Sequence, residues 1–364
     1  MKIGVPKEIK EQESRVAVLP SVVYQLKRLG HQIYVERDAG TGAGYSDKEY
    51  EEAGATMSGD HAEIFREGDL IVKVKEPLPA EYPLLREGQI LFTYLHLAAA
   101  RSLTEELLKS GVTAIGYETV EINRRLPLLE PMSEIAGRMS IIVGGYFLAK
   151  HSGGTGVLLG GVPGILPGNV LVIGGGSSGV NAARMAGGLG ANVTILEVDF
   201  DRMRFLDITM HTAHTLYSNE AHILEMLPRT DLLIGAVLVP GARAPRLITR
   251  AMLKLMKPGS VLVDIAIDQG GCCETSRPTT HHDPVYVEEG ITHYCVANMP
   301  GAYARTATQA LTNVTARFVE YLAEGGVEGA IKKEPGFASG INVMGGRIRN
   351  KAVAQAHRLP YEEL

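Results

Sequence analysis

Short apolar runs alternate with amphipathic segments along most of the chain. In the first third, the pattern predicts strands at 2–5, 32–36, 69–73, 89–92 and 113–116, with helices at 20–29 and 103–110. The alternation returns further on, with strands predicted at 170–173, 192–196, 231–235, 260–264 and 292–296 and a helix at 178–188. Strands that alternate with helices favour mostly parallel sheets covered by helices. The pattern therefore predicts an α/β protein with two β/α halves.

Longer segments connect and follow these halves. Ser133 is a favourable helix N-cap, and an apolar helix is predicted from there to about Lys150. Residues 152–169 are rich in Gly and Pro, which is typical of turns and loops. A long amphipathic helix is predicted over 303–323, and the tail from 325 is Gly-rich and then charged.

Composition narrows the class of protein. A chain of 364 residues exceeds one ordinary core, so two domains are expected. The formal net charge of −5 and the pI near 6.1 provide no basic footprint and argue against a nucleic-acid partner. No apolar run reaches the roughly 18 residues of a membrane span, and the early charges argue against a signal peptide. Cys272, Cys273 and Cys295 lack zinc-site spacing and indicate buried, reduced thiols in a cytoplasmic protein.

A glycine-rich loop gives the most specific chemical signal. In LVIGGGSSGV, residues 171–180, Gly174, Gly176 and Gly179 fit G-x-G-x-x-G between a predicted strand and a predicted helix. Gly174 allows the tight turn, Gly176 lets the backbone approach a pyrophosphate, and Gly179 lets helix and strand pack closely. Ser177 and Ser178 offer backbone N–H groups to the phosphates at the start of the helix. A glycine turn without a ligand is the alternative, which the surrounding βαβ pattern disfavours.

The second strand of this unit ends at Glu197, about twenty residues after the glycines, where the dinucleotide motif has its acidic ribose ligand. A carboxylate repels a 2′-phosphate, so NAD is predicted over NADP. Arg202 and Arg204 follow closely and counteract part of this preference.

Four polar residues stand out as candidates for substrate chemistry. Arg15 follows an acidic run, Lys75 ends an apolar strand, His96 lies in an apolar stretch, and Asp268 follows a strand of the second half. Lys73 lies two positions before Lys75, so the two lysines are expected to share one face of that strand. Each has an ordinary explanation: a solvated Arg, a snorkelling Lys, a core His or a turn-forming Asp. Residue by residue, the ordinary explanation is favoured.

The chain as a whole resembles the alanine dehydrogenase family, which is related to the N-terminal part of proton-translocating nicotinamide nucleotide transhydrogenase. The resemblance covers about residues 1–320. It rests on VPKEIKEQESRVAVLP, LIVKVKEP, GQILFTYLHLAA, PLLEPMSEIAGRMS, GVLLGGVPG, VIGGGSSGVNAARMA, LIGAVLVPGARAP, VLVDIAIDQGGC and VANMPGA.

The resemblance implies reversible oxidative deamination of L-alanine by NAD, with pyruvate and ammonium as products. It implies that Arg15 binds the substrate carboxylate, that Lys75 contacts the carboxylate or carbonyl, and that His96 is the general acid/base. It implies that Asp268 sits by the nicotinamide ribose and helps the proton step. Met132 and Asn298 are the further implied substrate residues. The implied cofactor contacts, beyond the loop glycines, Ser177, Ser178, Glu197 and Arg202, are Ser133, Ser218, Val237, Leu238, Ile265, Asp268, Arg277, Val296, Asn298 and Met299.

The resemblance also implies an architecture. Two Rossmann-like β/α domains are expected, the second a dinucleotide-binding, doubly wound parallel sheet inserted in the first. The substrate domain would comprise 1–130 and 300–364, and the NAD-binding domain 131–299. A homo-hexamer is implied as well. Glu118 has the chemistry of a cation ligand, but a surface or core-edge role is favoured, and we predict no metal site.

Departures from the family pattern keep rival functions open. Glu197 stands where Asp is common, and 205–225 and the tail after 325 match less well, which weakens the assignment of Ser218. A transhydrogenase-like NAD-binding subunit would share the fold, but this chain lacks the expected Arg-Gln-Asp signature. A related amino-acid dehydrogenase with a larger substrate is a closer rival. A non-catalytic NAD sensor belongs to a different class, and it has no need of the acid/base set.

Overall fold

The computed structural model of the chain describes residues 1–238 and 244–364. Its strands, in chain order, are β1 Lys2–Val5, β2 Gln32–Glu36, β3 Thr56–Ser58, β4 Leu70–Val72, β5 Ile90–Thr93, β6 Thr113–Gly116, β7 Asn169–Ile173, β8 Asn192–Glu197, β9 Ala213–Tyr217, β10 Leu232–Gly235, β11 Val261–Asp264, β12 Val285–Glu288, β13 Ile291–Tyr294, β14 Ile341–Met344 and β15 Arg347–Ile348. Its α-helices are α1 Pro20–Arg28, α2 Asp47–Glu52, α3 His61–Glu67, α4 Arg101–Ser110, α5 Glu130–Phe147, α6 Ser177–Gly188, α7 Phe200–Thr209, α8 Glu220–Met226, α9 Arg250–Leu253, α10 Ala304–Lys333 and α11 Lys351–His357.

The described residues fall into two compact units. The first contains Met1–Met132 and Gly301–Leu364, and the second contains 133–238 and 244–300. The first unit has a sheet with the described strand order β15-β14-β6-β5-β4-β1-β2-β3. Strands β1 to β6 run parallel, and β14 and β15 add an antiparallel edge. The order reverses between β1 and β4, as in a doubly wound sheet.

The second unit repeats this plan. Its described strand order is β12-β13-β11-β10-β7-β8-β9, and all neighbouring pairs are parallel except β12 with β13. The order reverses between β7 and β10. The central strand Leu232–Gly235 is buried at every position, as expected for a strand covered on both faces. The prediction of two Rossmann-like sheets is confirmed.

Local sequence explains where several helices begin. Pro20 starts α1, where its fixed φ is favourable and its missing N–H costs nothing. Ser46 and Glu49 form a reciprocal capping box at α2. The Asp199 side chain accepts the first backbone N–H groups of α7. The long helix α10 bends at Gly326, whose φ of 61° departs from helical geometry.

Two sequence-based expectations about local structure are wrong. Helix α5 begins at Glu130, so Ser133 lies inside it and is not its N-cap. Strand β4 ends at Val72, so Lys73 and Lys75 follow the strand and do not share one of its faces. The tail after 325, for which no element was predicted, forms a hairpin, β14 and β15, and a helix, α11; its Gly345–Gly346 turn has φ values of 61° and 69°.

Two further findings concern the helices and the cysteines. Among the described residues, none of the helices combines the length and apolarity that a membrane crossing needs. The three cysteines are free thiols, and all are buried.

Candidate active site

The carboxyl ends of the strands in the first unit carry the predicted substrate residues. Arg15 follows β1, Lys75 follows β4 and His96 follows β5. Ligands of doubly wound sheets bind at this edge, next to the point where the strand order reverses, here β1 and β4. The fold therefore brings three residues that are far apart in the sequence to one edge of one sheet.

Arg15 is almost completely buried, with 2% of its surface exposed. Glu13 forms a bidentate pair with it, Oε1 accepting from Nε at 2.7 Å and Oε2 from Nη2 at 2.5 Å. Arg15 Nη1 lies 3.1 Å from Met132 Sδ. Burial by itself lowers the pKa of Arg15. The hydrogen bonds and the charge of Glu13 outweigh this effect and raise the pKa above its ordinary value, so the guanidinium is charged. Glu13 thus takes the Nε–Nη2 edge of the guanidinium, and Nη1 lies beside Met132.

Lys75 is also buried, with 6% exposed. Its backbone is held by Glu8, whose Oε1 accepts the N–H groups of Val74 at 2.6 Å and Lys75 at 3.2 Å. Glu8 Oε2 lies 3.2 Å from the ammonium of Lys73, which is completely buried and also lies 2.6 Å from Glu81. Lys73 thus belongs to an internal ion network, and that network supports the segment from which Lys75 projects.

His96 has a left-handed backbone, with φ 49° and ψ 36°. Its ring stacks on that of Tyr94, with centroids 5.9 Å apart and planes inclined by 11°. The Tyr94 hydroxyl donates to the carbonyl of Leu128 at 2.7 Å. Burial raises the pKa of Tyr94 despite the nearby charge of Arg15, so the phenol stays neutral.

The glycine loop of the second unit has two kinds of glycine. Gly174 has φ 98°, and a Cβ there would lie 2.7 Å from the carbonyl oxygen of Ala236. A Cβ at Gly179 would lie 1.8 Å from the carbonyl oxygen of Gly174, whereas one at Gly176 would have no described atom within 4 Å. Helix α6 starts at Ser177, and no described side chain caps it. This uncapped, open helix start fits a pyrophosphate.

Glu197 ends β8 and reaches back to this loop. Its Oε2 accepts the N–H of Gly175 at 2.7 Å, and its Oε1 accepts those of Val198 and Asp199 at 2.6 and 3.0 Å. Arg202 Nε donates to the carbonyl of Gly175 at 2.6 Å. Glu197 and Arg202 therefore both help to hold the loop in shape.

The remaining predicted cofactor residues follow the carboxyl ends of neighbouring strands in the second unit. Ser218 follows β9, Val237 and Leu238 follow β10, Ile265 and Asp268 follow β11, and Val296, Asn298 and Met299 follow β13. Asp268 is exposed, and its Oδ1 accepts the N–H of Asn298 at 3.3 Å. Ser133 lies in α5, and Arg277 packs its guanidinium 3.9 Å from the centre of the Tyr286 ring. Apart from Ser133 and Arg277, these residues therefore follow the carboxyl edge of the sheet, the edge at which doubly wound sheets in general bind ligands.

Buried acidic residues are the part of the site that sequence reasoning missed. Asp264 is completely buried and accepts bonds from the N–H of Cys272 at 2.9 Å and the hydroxyl of Ser276 at 2.5 Å, which fixes the loop that carries Asp268. Burial raises the pKa of Asp264, and these bonds oppose the rise. Glu8 and Glu13 support Lys75 and Arg15 in the same way. Their only sequence signal was position within the family-like segment EIKEQESR. In the described part of the chain, no group of three or more His, Cys, Asp or Glu is arranged to hold a metal.

Comparison with known proteins identifies the family. The model for the alanine dehydrogenase/PNT N-terminal domain matches residues 4–136, and that for the C-terminal domain matches residues 140–351. The chain belongs to the alanine dehydrogenase/PNT family. Curated alanine dehydrogenases from Halomonas elongata and Geobacillus stearothermophilus are 54% and 52% identical to it, each alignment covering 100% of this chain and 98% of the relative.

Solved structures agree with this membership. An L-alanine dehydrogenase is 51% identical, with a TM-score of 0.92 and coverage of 98% of this chain and 99% of that one. A transhydrogenase from Sinorhizobium meliloti is 25% identical, with a TM-score of 0.82 and coverage of 96% and 100%. The predicted resemblance is confirmed, and the identity to the dehydrogenase is about twice that to the transhydrogenase. The family fold is one that binds nicotinamide dinucleotides.

Proposed function

We propose that the chain is an NAD-dependent L-alanine dehydrogenase, which interconverts L-alanine with pyruvate and ammonium by hydride transfer. The observation that carries the proposal is the placement of buried Arg15 and Lys75, together with His96, at the carboxyl ends of β1, β4 and β5. Two buried cations suit a small anionic substrate, and an imidazole suits proton transfer near neutral pH. Curated alanine dehydrogenases that are similar to this chain over its full length support the same function.

The chain's own residues have distinct tasks in this proposal. Arg15 binds the carboxylate, Lys75 contacts the carboxylate or the carbonyl, and together they fix the α-carbon for reaction. The bound nicotinamide ring supplies the hydride acceptor. His96 removes the proton from the water that adds to the resulting imine and returns one in the reverse direction. The family resemblance assigns Asp268 help with this proton step, and Met132 and Asn298 substrate binding.

The proposed cofactor is NAD, held by the glycine loop and the strand ends of the second unit. Gly174, Gly176, Ser177, Ser178 and Gly179 would receive the pyrophosphate, and Glu197 the ribose hydroxyls. The other proposed contacts are Ser133, Arg202, Ser218, Val237, Leu238, Ile265, Asp268, Arg277, Val296, Asn298 and Met299. The open space over Gly176 and the uncapped start of α6 support this assignment. The carboxylate of Glu197 would repel a 2′-phosphate, which disfavours NADP.

The proposal extends to organisation. We assign substrate binding to 1–130 with 300–364 and NAD binding to 131–299. The boundaries between the two compact units, after Met132 and before Gly301, support these divisions.

We also propose a homo-hexamer. Exposed apolar side chains at Leu158, Ile165 and Leu166, the last 85% exposed, support self-association. Buried free thiols support a cytoplasmic location. Light scattering on the wild type and on Leu166→Asp tests the assembly: we expect six chains for the wild type and fewer for the variant, and any other wild-type mass would contradict the hexamer.

The test of function follows NADH absorbance with pyruvate and ammonium. We expect oxidation that requires ammonium, favours pyruvate over larger 2-keto acids, and is far weaker with NADPH. His96→Ala should abolish turnover while retaining NADH binding, measured by fluorescence. Preference for a larger keto acid would indicate a related amino-acid dehydrogenase. NADH binding without turnover would overturn the proposal in favour of a transhydrogenase-like subunit or an NAD sensor.

A further inference from the structure

The chain turns sharply where β5 ends, and His96 lies at this turn. Its left-handed backbone, φ 49° and ψ 36°, is unfavourable for an L-residue relative to ordinary conformations. Such a conformation persists only where neighbouring groups hold it. The group that holds this one therefore determines where the imidazole stands.

Glu118 supplies the holding contacts. Its Oε1 accepts the backbone N–H of His96 at 2.6 Å, and both of its oxygens lie 3.2 Å from the backbone nitrogen of Leu95. Glu118 lies in the turn Tyr117–Thr119, directly after β6, the parallel neighbour of β5. Thr93 and Gly116 are register partners at the ends of these strands. The carboxylate thus bridges two adjacent strand ends, and its N–H bonds are charge-assisted.

We infer that Glu118 is the positioning residue for His96, acting through the backbone and not through the imidazole. The left-handed turn sends the His96 ring back over Tyr94, which is itself anchored through its hydroxyl to Leu128. Without the carboxylate, the Leu95 and His96 N–H groups lose their acceptor and the backbone relaxes toward ordinary φ values. The His96 ring then loses its stacking contact with Tyr94. This inference rests on the proposed function, since it assumes that His96 transfers the proton.

The chemistry predicts a graded series of variants. Glu118→Gln keeps one oxygen that accepts N–H bonds, whereas Glu118→Ala keeps none. Glu118→Asp keeps the negative charge, but its side chain is one methylene shorter, so the carboxylate lies further from the two backbone N–H groups. Asp69→Ala is the matched control, because Asp69 accepts the backbone N–H of Lys2 at 3.1 Å at the opposite end of the same sheet.

The experiment measures kcat and the KM for pyruvate, ammonium and NADH in each variant. Glu118→Ala should lower kcat by about 10- to 100-fold, the cost of a misplacement of about 1 Å, with less than a threefold change in the KM for NADH. Glu118→Gln should recover most of kcat, and Asp69→Ala should leave it unchanged. A purely structural role would lower thermal stability in Glu118→Ala and Asp69→Ala alike without a selective loss of kcat.

The outcomes separate this inference from the proposed function. A wild type without alanine dehydrogenase activity, or an active His96→Ala, overturns the proposed function. A wild type that needs His96 but a Glu118→Ala with normal kcat overturns the positioning role alone. If Glu118→Ala fails to fold, Glu118→Asp decides: reduced kcat with normal NADH binding supports the inference, and normal kcat overturns it.

Discussion

Gly176 and Gly179 lie three positions apart, but a methyl group should affect them differently. At Gly179, an added Cβ would lie 1.8 Å from the carbonyl oxygen of Gly174, although real Cβ contacts rarely fall below 3.0 Å. The backbone must therefore move by more than 1 Å. At Gly176, the added Cβ meets no described atom within 4 Å, and the φ of −69° suits any residue.

These distances translate into free energies of unfolding. Because the clash is with a backbone oxygen, overpacking here should cost about 2–3 kcal/mol, the upper part of the usual range, from which the helix propensity of Ala over Gly removes about 1 kcal/mol. Gly179→Ala should therefore lower the stability of the second unit by about 1–2 kcal/mol, or roughly 2–8 °C in its midpoint. Gly176→Ala should change stability by less than about 0.5 kcal/mol.

Cofactor binding should show a different pattern. The methyl of Gly176→Ala would stand where the pyrophosphate approaches, so the Kd for NADH should rise at least about tenfold, or roughly 1.4 kcal/mol. Calorimetric melts and NADH fluorescence titrations measure the two effects. Gly188→Ala, also in α6 and without a described neighbour at its Cβ, is the control: it should leave the NADH Kd unchanged and raise stability by up to about 1 kcal/mol, the helix-propensity gain alone. Normal NADH affinity in Gly176→Ala would refute the assigned pyrophosphate position, and an unchanged melt of Gly179→Ala would refute the packing argument.

Three further predictions concern the first unit. Lys73→Met removes the buried cation that lies between Glu8 and Glu81 and leaves only His61 beside Glu81, so urea unfolding should show a loss of about 3–5 kcal/mol; a loss below about 1 kcal/mol would contradict a tight network. The pKa of His61 is raised from 6.5 to about 9 by hydrogen bonds to Glu36 and Glu81, so its stabilisation is complete below about pH 6.5 and is lost as pH rises through 9. His61→Asn should abolish this decline, and equal declines in both proteins would argue against it. Arg15→Lys loses the planar fork, so the KM for pyruvate should rise about tenfold or more while the NADH Kd stays constant; an unchanged KM would remove Arg15 from the substrate site.

Local patterns in the sequence predicted much of the fold. The glycine loop, its flanking strands and Glu197 form one continuous unit, so short-range reasoning placed them correctly. The Gly345–Gly346 turn also carried a local hairpin signal, since Gly-Gly between short apolar runs favours the turn that joins two antiparallel strands. This hairpin signal was not recognised because glycine is frequent throughout the tail.

Groups that act across long distances in the sequence could not be predicted. Arg15, Lys75 and His96 each had an ordinary explanation when considered singly, and burial at one sheet edge is what changes that assessment. Glu8 supports Lys75 from 67 positions away, and Glu118 supports His96 from 22 positions away. Such pairings depend on which strands become neighbours, which the order of residues alone does not determine.

Isotope transfer tests the central claim most directly. The protein would be incubated with NAD and L-alanine carrying deuterium at the α-carbon, and the NADH formed would be analysed by mass spectrometry. Direct hydride transfer predicts one deuterium in each NADH, one pyruvate per NADH, and no labelled product in His96→Ala. No NADH, or NADH that lacks the label while alanine is consumed, would contradict the claim that this chain is an alanine dehydrogenase.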